Sequence, residues 1–343
     1  MPSQEQIRTQ PTISPLNCKL VPIPTIQKRQ TSRAGTLAKM RRFCYVIIGQ
    51  ILISWVGFGQ DTVDLCPDQP GALICWTETR STPRILRIHY LKVALNAHRL
   101  EVFALPGEDP DGPGPAESQL TRPIDLFKKF HALAAINANA FAGLPNDQAA
   151  GPDWYEGRPV DIHGMVVSGR KVISPIENNR TSFWLDTLQK PHIGTPPSMD
   201  LVAEAVSDWL SPLLIDSRII PDPSDHALHP RTALGFDDTA TWLLLVVVDG
   251  RQPGFSEGVW LYELARILQL QGCSQSINLD GGGSSIMLIQ ESGKEVRTVN
   301  SPSGGAQRPL PVMLGVRRVL EQRRKADRKN KLRVGRATGP CPR

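Results

Sequence analysis

Residues 241–251 read Thr-Trp-Leu-Leu-Leu-Val-Val-Val-Asp-Gly-Arg. The run Trp242 to Val248 is apolar throughout, with no polar residue alternating into it. That is the pattern of a strand covered on both faces, and Asp249-Gly250-Arg251 ends it. Just downstream, Ser256 is placed to N-cap a helix over about 257–271, with Leu261, Leu264, Ala265 and Leu268 on one face and Gly272 positioned to stop it. A short strand, Ser276–Leu279, follows and runs into Asp280-Gly281-Gly282-Gly283. Strand, helix and strand in this order predict an α/β (mixed α+β) fold: a mixed β-sheet core flanked by helices in one domain.

Outward from this centre, residues 84–105 read as two strands about Asn96-Ala97, 132–136 as a buried strand ending at Asn137, and 165–173 as a hairpin turning at Ser168-Gly169. Residues 285–289 and 312–316 read as two further strands and 123–131 as a short helix. The Pro/Gly-rich stretches 106–117 and 191–198 are breaks. The domain is therefore placed at 84–319, after a leader at 1–59 and an extension at 60–83, and before a basic tail at 320–343. Polar residues gather at strand ends: Asn137, Asp249, Arg251, Asn278 and Asp280. This is where an open sheet places a site.

The chain has 343 residues, of which 40% are hydrophobic and 21% charged; that excludes a disordered, collagen-like or polytopic membrane protein. The net charge of +6 comes from the ends, since residues 1–59 carry +7 and 317–343 carry +9 while 60–316 carry −10. An acidic body argues against a nucleic-acid partner. Residues 43–60 (FCYVIIGQILISWVGFGQ) contain no charge, and Arg41-Arg42 precede them. Two readings stand: a signal peptide starting at Met40 and cleaved near Gly59, or a single-span membrane anchor at the short end of the ~17–25 residues needed. Both place the body outside the cytoplasm, where Cys66 and Cys75 either pair or stay as two free thiols.

The most informative stretch for chemistry is Ile277-Asn278-Leu279-Asp280-Gly281-Gly282-Gly283-Ser284-Ser285. Three glycines after a strand cost backbone entropy and give a core nothing. They permit close approach to a ligand, and successive N–H groups form a nest for an anion. Asn278 and Asp280 lie two apart and so share a face, which suits sugar hydroxyls, acid–base work or a hard cation. No P-loop or dinucleotide fingerprint fits. Gly254-Phe255-Ser256-Glu257-Gly258 matches a nucleophile elbow in letters alone, because its serine precedes a helix. His226 and His229 lie in a Pro/Asp-rich loop that reads as solvated, and His163 is a candidate base beside a loop.

Asn278-Leu279-Asp280-Gly281-Gly282-Gly283-Ser284-Ser285 resembles the signature of the phosphodiester glycosidase domain. This is the domain of N-acetylglucosamine-1-phosphodiester α-N-acetylglucosaminidases and of many exported bacterial proteins. Pro230-Arg231-Thr232-Ala233-Leu234-Gly235, Val247-Val248-Asp249-Gly250-Arg251 and the closing Asn300-Ser301-Pro302 to Arg308-Pro309 resemble further motifs of that family, in its order. Ala135-Ile136-Asn137-Ala138-Asn139-Ala140-Phe141 is similar to its early Asn-Gly-Gly-Phe-like segment, with alanines in place of glycines. The resemblance covers about 84–319 and implies hydrolysis of a sugar-1-phosphodiester between anomeric carbon and phosphate oxygen.

On this reading Asp280 and Asp249 are the candidates for acid, base or nucleophile, with Glu257 in reserve. Arg231, Arg251 and Arg308 are candidate phosphate clamps, since guanidinium presents a planar fork of donors. Asn137, Thr232 and Asn278 would meet sugar hydroxyls, and Gly281, Gly282, Gly283, Ser284 and Ser285 would supply donors. No resident cofactor is called for, a divalent cation staying open, and the partner is the substrate itself, a phosphorylated glycan or sugar-1-phosphodiester. Two rivals stay open: a non-catalytic phosphoglycan-binding module of the same fold, and a phosphodiesterase cutting P–O.

Overall fold

The strand Trp242–Val248 is buried on both faces because two different layers cover it. Leu243, Leu245 and Val247 point into the main core, while Leu244, Val246 and Val248 pack with Leu264, Ala265 and Leu268 of the helix Leu261–Leu270. The computed structural model describes residues 62–145, 154–210 and 212–319. The leader, its proposed start at Met40 and the basic tail lie outside the described residues. No helix among the described residues is long and apolar enough to cross a membrane.

Trp242–Val248 is central in an eight-stranded sheet. The order is Val63–Asp64, Leu73–Arg80, Leu86–Ala94, Trp242–Val248, Arg231–Phe236, Gln275–Asn278, Pro212–Ile215 and Arg218–Ile219. Residues read as an extension thus supply the first two strands, and Leu73–Arg80 pairs along its whole length with Leu86–Ala94. A five-stranded sheet is built from Arg297–Thr298, Met287–Ile289, Ala134–Asn137, Val312–Arg318 and Leu100–Pro106. A second five-stranded sheet and a three-stranded one complete the described strands.

The eight-stranded sheet and the first five-stranded sheet share one core. Leu91, Leu234, Leu245 and Ile277 from the former meet Ala134, Ile136, Met287 and Leu314 from the latter. On the outer face of that five-stranded sheet, Leu126 and Phe127 of the short helix Pro123–Lys129 pack with Phe103, Ala135 and Met313.

The expectation of an α/β fold with a mixed sheet flanked by helices is therefore corrected. The fold is β-rich, and every strand pairing among the described residues is antiparallel. The two α-helices described have seven and ten residues. The apolar run of Trp242–Val248 required a cover on each face, but a second sheet satisfies that requirement as well as a helix does. The helix after it is also shorter than expected. It starts at Leu261, and Ser256 does not cap it: the Ser256 hydroxyl donates to the Asp249 carbonyl at 2.7 Å and accepts from the Arg87 amide at 3.0 Å.

Of the two alternatives for Cys66 and Cys75 the structure has the free thiols, since Cys66, Cys75 and Cys273 are free and buried. Cys66 sits in a turn, its amide bonded to the Asp64 carboxylate, while Cys75 faces the inter-sheet core from its strand.

Candidate active site

The chain crosses from the eight-stranded sheet to its facing sheet between Asn278 and Met287, and the glycine turn lies in that crossing. Its position is fixed by a buried brace. The Asn137 amide donates to the Asp280 carbonyl at 2.6 Å. Its side-chain oxygen accepts from the Thr232 hydroxyl at 2.7 Å and from the Ile286 amide at 3.1 Å. Asn137 and Thr232 are fully buried. They join the two sheets behind the turn and do not line the pocket that holds Asp280.

That pocket has a volume of about 380 Å³ and is lined by Trp209, Leu210, His229, Arg231, Arg251, Asp280, the three glycines and Arg308. Each glycine has a neighbour where a side chain would begin. A Cβ on Gly281 would lie 2.8 Å from the Pro230 carbonyl, on Gly282 3.1 Å from the Arg251 guanidinium, and on Gly283 2.4 Å from that of Arg308. Gly282 also adopts φ +60°, which favours glycine. The turn is thus glycine-rich so that two arginines can close over it. The nest of backbone donors is largely spent within the protein. Gly281 N–H donates to Asp280 Oδ1, Gly282 N–H to the Pro230 carbonyl, Ser284 N–H to the Gly281 carbonyl and Ser285 N–H to the Gly282 carbonyl.

This geometry gives a direct expectation for Gly283→Ala. The methyl displaces Arg308, so inorganic phosphate should bind roughly tenfold more weakly by calorimetry, about 1.4 kcal/mol. Thermal stability should stay near that of the parent, because the crowded group is the end of a flexible side chain. An unchanged affinity would remove Arg308 from anion binding.

None of Arg231, Arg251 and Arg308 forms an ion pair with a carboxylate among the salt bridges of the described residues. Arg231 is 5% exposed, with Nε donating to the Val259 carbonyl and an Nη to that of Ala227. Arg308 donates to the Ser284 hydroxyl at 3.2 Å. Burial lowers the pKa of Arg231 and Arg308, and the Arg251 charge lowers both further, so the charged forms gain from an added anion. Arg251 reaches the pocket from a left-handed backbone, φ 58°, immediately after Gly250. Strain of this kind persists where the surroundings over-determine it.

Asp280 is the single carboxylate of the lining. Burial is the largest influence on it and pushes its pKa up to about 6, against the opposing pull of the Ser284 hydrogen bond, Arg308, its own turn amide and His163. His229 also lines the pocket. Burial, then Arg231 and Arg251, lower its pKa, so the ring is held neutral. An Arg251 Nη donates to its Nδ1 at 3.2 Å, which leaves the proton on Nε2. His163 stacks on Trp209 at 5.4 Å, and Arg180 lies over the same indole at 4.4 Å.

The remaining sequence candidates lie elsewhere. Asp249 is 1% exposed and away from the pocket lining. One carboxylate oxygen meets His89 Nε2 at 2.9 Å, and the other accepts from the Ser301 amide at 2.9 Å and the Asn300 amide group at 3.2 Å. Glu257 is exposed and also outside the pocket lining. Asn278 bonds the Trp209 backbone in both directions, holding that indole at the pocket, while its own Oδ1 is buried without a partner. Ser284 and Ser285 are buried, and Ser284 bonds the Asp280 carboxylate. Trp209, Leu210 and His229 are the pocket residues that sequence reasoning missed. His229 had a signal in its neighbour: the Gly258 Cα packs so tightly that a Cβ there would lie 2.6 Å from the His229 carbonyl, and His229 bridges to Val259.

A family model described as phosphodiester glycosidase matches residues 131–317, which is more than half of the chain and contains all of the pocket residues. The chain belongs to the phosphodiester glycosidase family. Two solved structures share its fold. The zebrafish N-acetylglucosamine-1-phosphodiester alpha-N-acetylglucosaminidase catalytic domain, auto-inhibited by pro-peptide, superposes with TM-score 0.51 at 19% identity over 75% of this chain and 87% of that one. A hypothetical protein from Synechocystis gives TM-score 0.51 at 13% identity over 71% of this chain and 62% of that one. A prophage-derived uncharacterized protein, YomE, of Bacillus subtilis strain 168 is 35% identical over 82 residues. That match covers 24% of this chain and 12% of the YomE chain.

Proposed function

We propose that this phosphodiester glycosidase homologue hydrolyses sugar-1-phosphodiesters on an exported glycan or glycoconjugate, cleaving the bond between the anomeric carbon and the phosphate oxygen. The observation that carries the reading is the pocket's charge pattern. Three arginines without a carboxylate partner converge with a single carboxylate in about 380 Å³. A phosphodiester brings one negative charge and a polyol, and three arginines against a lone Asp leave the pocket positive enough to hold it.

The leaving phosphate is a weak base once Arg231, Arg251 and Arg308 hold it, so departure needs little protonation. His229, neutral with its N–H at Nε2, can donate a hydrogen bond to the leaving oxygen but does not transfer a proton to it. Asp280 then acts in its ionised form, as base toward water or as nucleophile at the anomeric carbon. A conventional glycosidase uses two carboxyls about 5–5.5 Å or ~6.5–9.5 Å apart. This pocket lining holds one, so the arginines carry what a second acid would do elsewhere. Export rests on the uncharged run 43–60 behind Arg41-Arg42.

The sign of the pH dependence follows. A carboxylate raised to about 6 is ionised only above that value, so kcat/KM should rise through an acid limb near pH 6 and level off near 7. A rate that instead falls above pH 6 would make Asp280 the acid. The reaction class itself is tested by incubating the full chain with a panel of sugar-1-phosphodiesters and measuring free sugar. Release from one or more members supports it. Saturable binding of a diester without release would support the binding-module alternative.

A further inference from the structure

A second cavity, larger than the candidate active site, opens at one end of the inter-sheet core. Its volume is about 650 Å³. The eight-stranded sheet contributes Val63, Cys75, Thr77, Arg87 and His89, and the facing sheet with its hairpin contributes Glu291, Lys294, Arg297 and Val299. Further along these strands the two sheets share an apolar core that includes Leu73, Leu91, Val93, Met287 and Ile289. The change to Thr77, Arg87 and His89 marks where this apolar packing gives way to a polar cavity lined by buried and partly buried groups.

The charges in this cavity do not balance. Glu291 is its single carboxylate, and both Lys294 and Arg297 bind it. Arg87 has no carboxylate partner among the salt bridges described, and its Nε is buried without a hydrogen-bond acceptor. One face of its guanidinium lies on the Phe255 ring at 4.2 Å. Stacking of that kind leaves the N–H edge free for an acceptor in the guanidinium plane. The wall behind is rigid: His89 is held by Thr77 Oγ1 at one ring nitrogen and by Asp249 at the other, each at 2.9 Å. Val63, Cys75 and Val299 add apolar surface.

We propose that this cavity is a second ligand site, separate from the pocket of Asp280, for a small molecule carrying a phosphoryl group. The oxyanion meets Arg87, with Lys294 and Arg297 at its side, and the organic body fills the rest. The volume falls within the range of small-molecule sites, ~300–1,000 Å³, and exceeds what a bare phosphate needs. The site is independent of the proposed hydrolysis and shares no lining residue with it.

The test is calorimetric titration of the full chain with glucose 6-phosphate, beside inorganic phosphate. Two binding sites are expected on the parent. Arg87→Gln and Lys294→Ala should each weaken one site, by roughly tenfold or more for Arg87→Gln, and leave the other unchanged. Arg251→Ala should do the reverse. Glucose 6-phosphate should outbind inorganic phosphate at the Arg87 site, because the cavity accepts an organic body. Lys294 is largely exposed, so its variant decides the matter if Arg87→Gln fails to fold. A single site that only Arg251→Ala weakens would overturn the proposal, as would two sites indifferent to both Arg87→Gln and Lys294→Ala.

Discussion

Asp280→Asn should reduce turnover of a sugar-1-phosphodiester by ~10²–10⁴ while leaving diester binding nearly intact. The amide keeps the size and the acceptor that receives the Gly281 N–H, so the turn should hold its shape. It removes the carboxylate whose ionisation the proposed chemistry uses. The expected signature is a collapse of kcat with KM close to that of the parent, and loss of the acid limb near pH 6. Equal turnover in the two proteins would remove Asp280 from the chemistry and leave His229 as the proton-transfer group of the pocket.

The second large effect belongs to stability. Asp249→Ala should lower the free energy of unfolding by about 3–5 kcal/mol, the usual cost of removing one partner from a buried, hydrogen-bonded charge network. Three donors face that carboxylate: the His89 ring, the Asn300 side chain and the Ser301 amide. Truncation leaves them buried without an acceptor. Asn300 also bonds the Ser285 carbonyl and the Met287 amide, so the closing segment and the far side of the glycine turn loosen together. The measurement is chemical denaturation of Asp249→Ala beside Asp280→Asn. The former should unfold at much lower denaturant and the latter close to the parent. A parent-like midpoint for Asp249→Ala would put this residue back among the candidates for chemistry.

The two aspartates illustrate what the sequence could and could not convey. Both follow strands and both lie in motifs that resemble the family, so nothing local distinguishes them. Burial and partners do: Asp249 is enclosed by residues 160 and 51 positions away, His89 and Asn300. The glycines were legible as positions of close approach, because their entropic cost needs a reason. What approaches was not legible in the same way, since Arg251, Arg308 and the Pro230 carbonyl arrive from three other segments. Asn137 and Thr232 were read as substrate-binding, whereas in the fold they bond each other behind the turn and brace it.

The fold error has a similar origin. An apolar run without alternation reports that both faces are covered, and a helix layer and a sheet layer leave the same mark on it. The second sheet is assembled from strands 100–106, 134–137, 287–289, 297–298 and 312–318, too scattered for a local pattern to join. His229 was hidden by composition, because a Pro/Asp-rich loop reads as solvated until its bridge to Val259 folds it against the arginines.

The central claim is that water attacks the sugar and not the phosphorus. Hydrolysis of a sugar-1-phosphodiester by the full chain in ¹⁸O-labelled water, followed by mass analysis of both products, tests it most directly. The account predicts the label on the anomeric oxygen of the released sugar and unlabelled phosphate. Label on the phosphate would contradict it and identify a phosphodiesterase that cuts the P–O bond.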